Sequence, residues 1–153
     1  MSVEKVKAFF QTYGLQEQVL EFNESSATVE LAAQAVGCEP ARIAKTLSFA
    51  VADASILVVT AGDMRIANPK FKAIFHEKPK MLPAAEVEEK IGHAIGGVCP
   101  FAIKEGVPVY LDISLKRFTT IFPACGSSNS AIELTPEELE RLSEAAGWVD
   151  VCR

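Results

Sequence analysis

Ile43-Ala44-Lys45-Thr46-Leu47-Ser48-Phe49-Ala50-Val51-Ala52-Asp53-Ala54-Ser55-Ile56-Leu57-Val58-Val59-Thr60 is the stretch on which the fold turns. Leu47, Phe49 and Val51 alternate with smaller residues, the two-residue period of a strand with one covered face. Residues 56–60 are continuously apolar, so the second strand is buried. Asp53-Ala54 makes the turn between them, and the whole segment reads as a β-hairpin. A lone lysine, Lys45, stands at the mouth of its first strand.

Upstream, Pro40 opens a short helix over residues 40–44 that delivers Lys45 to the strand. Thr28 caps a helix in which Val29, Ala32, Ala33 and Val36 share a face, ended by Gly37. Farther back, residues 19–22 form a short strand, and Val3, Val6, Phe10 and Tyr13 give an amphipathic helix stopped by Gly14. Downstream, Ala61-Gly62-Asp63 is a loop at the hairpin's end. Asn68 caps a helix with Pro69 in first position and Phe71, Ile74 and Phe75 inward. Pro83 opens another, carrying Val87 and Ile91 and closed by Gly92. Residues 107–111 are a strand in which Pro108 marks an edge or a start, and Ser114 caps a short turn. Residues 119–123 and 131–134 bracket a turn-forming or ligand-facing loop, Cys125-Gly126-Ser127-Ser128-Asn129. Thr135, Pro136 and Glu138 spell a capping box, followed by Leu139, Leu142 and Ala146 inward and Gly147 as stop. Helices and strands intermix without a regular βαβ repeat, and several connections are too short for parallel crossovers. The expected fold is mixed α/β, of α+β type: a curved, barrel-like sheet of about six to seven strands surrounded by helices.

With 153 residues, 49% of them hydrophobic and 23% charged, the chain reads as one compact domain over 1–153 that needs neither disulfide nor metal for its core. Its apolar runs are too short for a membrane span, and Met1-Ser2-Val3-Glu4-Lys5 lacks a secretory pattern, so a cytoplasmic location is expected. A net charge of −5 argues against extended contact with duplex DNA or RNA, since affinity there scales with the phosphates neutralised. A short contact with one single-stranded end fits. Cys38, Cys99, Cys125 and Cys152 show no Cys-x-x-Cys spacing, and His76 and His93 are the only histidines. No metal and no other cofactor is expected.

The second stretch with chemical promise is Gly96-Gly97-Val98-Cys99-Pro100-Phe101. Adjacent glycines permit dihedrals that a Cβ forbids, and Pro100 fixes the exit direction, so several N–H groups can converge on one spot. Such donors suit a phosphate or a developing oxyanion, and Lys45 could hold the same ligand. Taken singly, Gly-Gly before Pro is more often a plain connection, and a lysine before a strand is usually a solvated gatekeeper; only their combination points to a site.

In order, Thr28-Val29-Glu30-Leu31-Ala32-Ala33, Ile43-Ala44-Lys45-Thr46-Leu47, Ala61-Gly62-Asp63, Gly96-Gly97-Val98-Cys99-Pro100-Phe101, Val109-Tyr110-Leu111-Asp112, and Gly126-Ser127 before Leu134-Thr135-Pro136-Glu137-Glu138-Leu139 resemble the YbaK / prolyl-tRNA synthetase-associated editing domain family. The likeness runs from about Thr28 to the last helix, and its most specific parts are Lys45 and Gly97-Val98-Cys99-Pro100. It implies hydrolysis of the ester joining a wrongly attached small amino acid (Cys, Ala, Ser or Thr class) to the terminal adenosine of a tRNA, commonly tRNA(Pro). By that likeness Lys45 binds the nucleotide end, and the backbone of Gly97, Val98, Cys99 and Pro100 holds the carbonyl and ribose region. Thr28, Val29, Thr46 and Ser127 border the amino-acid pocket, with Gly62, Asp63, Gly96, Phe101 and Gly126 beside them. The implied partners are the aminoacyl-tRNA acceptor end and, for delivery, an aminoacyl-tRNA synthetase.

Three functions stay open at this level: a free-standing deacylase, a catalytically silent module that binds a tRNA end or nucleotide, and a thiol-based redox or peroxide enzyme. The last depends on Cys99, which reads either as a small buried filler or as a nucleophile. His93 is near Cys99 in sequence, and nothing in the sequence pairs them in space.

Overall fold

Along residues 2–153 described by the computed structural model run α1 (Ser2–Gln11), β1 (Leu20–Glu21), α2 (Val29–Val36), β2 (Ile43–Val51), β3 (Ala54–Ala61), α3 (Asn68–Phe75), α4 (Ala84–Ile91), β4 (Val109–Asp112), β5 (Phe122–Pro123), β6 (Ser130–Ala131), α5 (Pro136–Leu142) and β7 (Gly147–Val149). The hairpin forms as its pattern dictates, β2 and β3 pairing antiparallel from Ala44↔Ala61 to Val51↔Ala54. Its connection is Ala52-Asp53, one position earlier than the sequence suggests. Both residues sit at positive φ, 49° and 65°, as a type I′ turn requires.

Around the hairpin the main sheet is ordered β5-β2-β3-β4-β7, with every pair except β2–β3 parallel. It curls into a half-barrel of five strands. β1 and β6 form a separate antiparallel ribbon, so the strands expected in one sheet divide between two. β3 lies inside the sheet with cores on both faces. Leu57 and Val59 pack with Val6, Phe10 and Phe101, while Ile56 and Val58 pack with Phe49, Phe71 and Val151. Two covered faces explain the unbroken apolar run. No helix among the described residues is long and apolar enough to cross a membrane.

Local grammar is met at α2, where Thr28 Oγ1 accepts from Leu31 N at 3.2 Å and Gly37 takes φ +84°. At α5 both bonds of the capping box are present. Elsewhere the structure corrects the sequence reading. Tyr13 and Ile74 are exposed at 44% and 43%, and Ala146 is exposed as well. Asn68 is the first residue of α3 rather than its cap, and the turn at 40–42 is 3-10 rather than a helix reaching Ala44. Asp112, not Ser114, caps the turn after β4, its carboxylate accepting from Ser114 N at 3.0 Å. Pro108 precedes β4, an interior strand, so its meaning is a strand start and not an edge. Gly147 does not stop α5. The helix ends at Leu142 with Ser143 as its C-cap, and Gly147 opens β7, which the sequence reading missed.

Candidate functional site

β5 pairs with β2 only at Ile43 and Ala44. The next segment to meet that edge is the one before α4, where Leu82 N donates to Ser48 O (3.1 Å) and Ala50 N donates to Lys80 O (2.8 Å). Between these contacts the outer edge of β2 is open. The two-residue period that sends the peptide groups of Ser48 and Ala50 outward does the same for Thr46. A cavity of about 430 Å³ lies along this gap, within the range of small-molecule sites. Its walls come from the start of α2, from β2, from α4 and from the loop after α4.

Of the residues singled out from the sequence, Thr28, Val29, Lys45, Thr46, Gly96 and Val98 line this cavity. Lys45 is the one ionisable side chain among the described residues of its wall; the remainder is apolar, apart from hydroxyls such as those of Ser26, Ser48 and Ser130. Lys45 Nζ donates to Met64 O at 2.5 Å, which fixes the ammonium at the end of β3. Burial holds its pKa below the ordinary lysine value. The hydroxyl oxygens of Ser26 and Thr46 are buried without a hydrogen-bond partner among the described residues. At the mouth, Met81 and Ile95 are 55% and 61% exposed, the most exposed of the large apolar side chains described. The sequence offered no signal for Ser26, Met81 or Ile95, because their place depends on how β2, α4 and the glycine loop meet.

The glycine loop is clamped at its base, where Lys104 N donates to Ile91 O (2.8 Å) and His93 Nε2 lies 2.7 Å from Phe101 O. Gly96 adopts φ +92°, and Gly97 N is turned back on Ala94 O at 3.0 Å. No acceptor among the described residues takes the N–H of Val98 or Cys99. Gly97 is pressed against the Gly126-Ser127 backbone: a Cβ there would lie 2.6 Å from Ser127 N and 2.7 Å from Gly126 C. Gly126 and Ser127 therefore adjoin the loop without lining the cavity, and Ser127 Oγ reaches Ser130 Oγ at 2.8 Å.

The other candidates sit elsewhere. Gly62 allows its turn to pack under α2, since a Cβ would meet Pro40 O at 2.1 Å and Val29 Cγ1 at 2.8 Å. Asp63 is exposed and forms two bonds to Arg117 (2.6 and 3.1 Å), which hold its carboxyl below the usual range. Pro100 and Phe101 are buried, and the Phe101 ring lies 4.8 Å from that of Phe10. Cys99 is fully buried in the same core, and its Sγ does lie 3.5 Å from His93 Nε2. The pair is no catalytic dyad. A carbonyl only accepts, so Nε2 carries the proton it gives to Phe101 O and cannot take one from the thiol. Burial also pushes the thiol up to about 12. No group of three or more His, Cys, Asp or Glu among the described residues is placed to hold a metal.

A half-barrel with a small polar-and-apolar cavity, one cation and a Gly-x-x-Pro loop is the arrangement expected of an editing domain. The profile of the aminoacyl-tRNA editing domain matches residues 23–142, and the chain belongs to that family. It is 52% identical over 154 residues to the uncharacterized protein YwhH of Bacillus subtilis strain 168, covering 100% of this chain and 98% of that one. It is 28% identical over 129 residues to EbsC of Enterococcus faecalis strain ATCC 700802 / V583, provisionally named a Cys-tRNA(Pro)/Cys-tRNA(Cys) deacylase, covering 83% of this chain and 79% of that one. A crystal structure of a provisionally assigned trans-editing enzyme for prolyl-tRNA synthetase superposes with a TM-score of 0.89 at 31% identity, covering 99% of this chain and 97% of the other.

Proposed function

We propose that this chain, acting as one free-standing domain, hydrolyses the ester of a small mischarged amino acid (Cys, Ala, Ser or Thr class) on tRNA, with tRNA(Pro) the first candidate. The observation that carries the reading is that Lys45, Gly96 and Val98 line one cavity at the open edge of β2. Lys45 supplies the charge for a phosphate at the nucleotide end. The N–H group of Val98, which no acceptor among the described residues claims, is a donor for the tetrahedral oxyanion, and that of Cys99 follows it in the chain. The amino acid enters beside Val29 and Thr46, where the Thr46 peptide edge can hydrogen-bond it. Met81 and Ile95 offer apolar contact to the terminal adenosine at the mouth.

No carboxylate or imidazole lines the cavity among its described residues, so the wall contains no ordinary general base. An aminoacyl ester is already activated, and a placed water assisted by the substrate's free ribose hydroxyl suffices, given oriented donors. An apolar wall discriminates one methylene by only about 1–3 kcal/mol, which makes size alone a modest sieve.

The test is deacylation of tRNA(Pro) and other tRNAs charged with Ala, Cys, Ser or Thr. Wild-type protein is expected to release at least one of them, and Lys45→Ala to lower kcat/KM by 10-fold or more, on the order of 1.4 kcal/mol or above. Lys45→Ala activity equal to wild type would remove Lys45 from the mechanism. Binding without turnover on every ester would leave a silent tRNA-end module.

A further inference from the structure

Two arginines stand opposed beside Lys45. After β3 the chain runs antiparallel to its own last residues: Ala67 N donates to Val151 O (2.8 Å), Arg65 N to Arg153 O (3.0 Å), and Arg153 N to Arg65 O (2.8 Å). The two reciprocal bonds make Arg65 and Arg153 a directly opposed pair, whose side chains leave the same face. Both are exposed, and neither joins the ion pairs found among the described residues. Like charges directly opposed across two strands are destabilising. In a chain with 20 acidic and 15 basic residues, these two neighbouring guanidiniums have no Asp or Glu side chain paired with them among the described residues, which leaves both forks open to an anionic ligand.

The pair neighbours Lys45, which lines the cavity. Lys45 Nζ is bonded to Met64 O, one residue before Arg65; burial is the main cause of the lysine's lowered pKa, and the nearby Arg65 charge adds to it. The acidic groups of this region are few. Asp63 is committed to Arg117, Asp150 is held by Lys70 at 3.0 Å, buried Asp112 accepts from Val151 N and Ser114 N, and Glu30 on α2 lies within electrostatic reach of Lys45. Lys70 also donates to Cys152 O at 3.0 Å, fastening the tail that carries Arg153.

We infer that Arg65 and Arg153 form a ledge that binds backbone phosphates of the tRNA 3′ strand as it approaches the cavity. The inference rests on the reading of the cavity as a deacylation site. A guanidinium pair beside a site with its own lysine suits successive phosphates of one strand, because each fork can take a phosphate bidentately. It also gives an acidic protein its RNA contact without a broad basic surface.

Binding of uncharged tRNA, followed by fluorescence anisotropy from 50 to 300 mM salt, tests the ledge, because each phosphate contact contributes about 0.7–0.9 to the slope of log K against log salt. The double variant Arg65→Gln/Arg153→Gln is expected to bind several-fold more weakly at low salt and to lose about 1 to 2 from the slope. Arg65→Lys/Arg153→Lys keeps the charge and retains most of the slope. The Gln variant should also lose more kcat/KM on aminoacyl-tRNA than on aminoacyl-adenosine, which lacks those phosphates, and should melt no lower than wild type. An unchanged slope, no tRNA binding by wild type at any salt, or equal losses on both substrates overturns the ledge. Wild type that binds tRNA with the expected slope but cleaves no ester overturns the deacylase reading and leaves the ledge standing.

Discussion

Gly97 shows how one missing atom sets the site. The backbone it faces, Ser127 N and Gly126 C at 2.6 and 2.7 Å from any added Cβ, is not the movable tip of a side chain. Gly97→Ala must therefore push two loops apart, an overpacking effect of about 1–3 kcal/mol. We expect a lower urea midpoint together with a fall in kcat on any active ester, and a variant of unchanged stability would show that the loops are not in contact. Cys99 makes the opposite case. Buried beside Phe101 and with its thiol pushed up to about 12, it is expected to resist alkylation in the folded protein, and Cys99→Ser is expected to retain most hydrolysis. Loss of activity with folding intact would reinstate it as a nucleophile. The sequence made Gly97 legible as a backbone device but not its partner, because Gly126 and Ser127 are remote in the chain. The approach of His93 to Cys99 was likewise invisible, since it depends on how the loop folds back on its own base.

Elements were legible where their signals are local. Thr135, Pro136 and Glu138 fix the start of α5 within four residues, and the structure contains both bonds they promise. Thr135→Ala should lower stability by about 1 kcal/mol while leaving hydrolysis and tRNA binding as in wild type, because neither α5 nor its cap borders the cavity. A matched change in activity would mean that α5 couples to the site. β7 was missed for a physical reason. Gly147-Trp148-Val149 is too short to show periodicity, and it becomes a strand only by pairing parallel with Tyr110–Asp112, some 37 residues away in sequence (147 − 110). The open edge of β2 is the same kind of fact. Its residues read plainly as a strand, but the gap arises because β5 pairs with two of them and the Lys80–Leu82 segment meets it only farther along.

At the scale of the whole molecule, the interior holds groups that stay neutral only while it is folded. His93 is fully buried, with Nδ1 unpartnered among the described residues, and burial lowers its pKa from 6.5; the bond to Phe101 O opposes this, while Lys5 lowers it further. The unfolded chain therefore binds the proton more readily, and stability should decline as pH falls below about 6.5. Cys99 and Cys152 have thiols pushed from 9.0 up to about 12, and that of Cys125 is raised as well. Here the unfolded chain releases the proton first, so stability should decline as pH rises from about 9 towards 12. Lys45 works against this alkaline limb, since its lowered pKa means that the folded state loses its proton before the unfolded one, and its partial exposure keeps that contribution small. Each fully buried group can add a slope of at most about 1.4 kcal/mol per pH unit. Urea unfolding from pH 4.5 to 10.5 should thus give a dome, with a flatter acid side in His93→Gln, whose amide can still donate to Phe101 O, and a flatter alkaline side in Cys99→Ser. Profiles of the variants parallel to wild type on both sides would place the titrating groups elsewhere and break the link between this core and the clamp that holds the glycine loop.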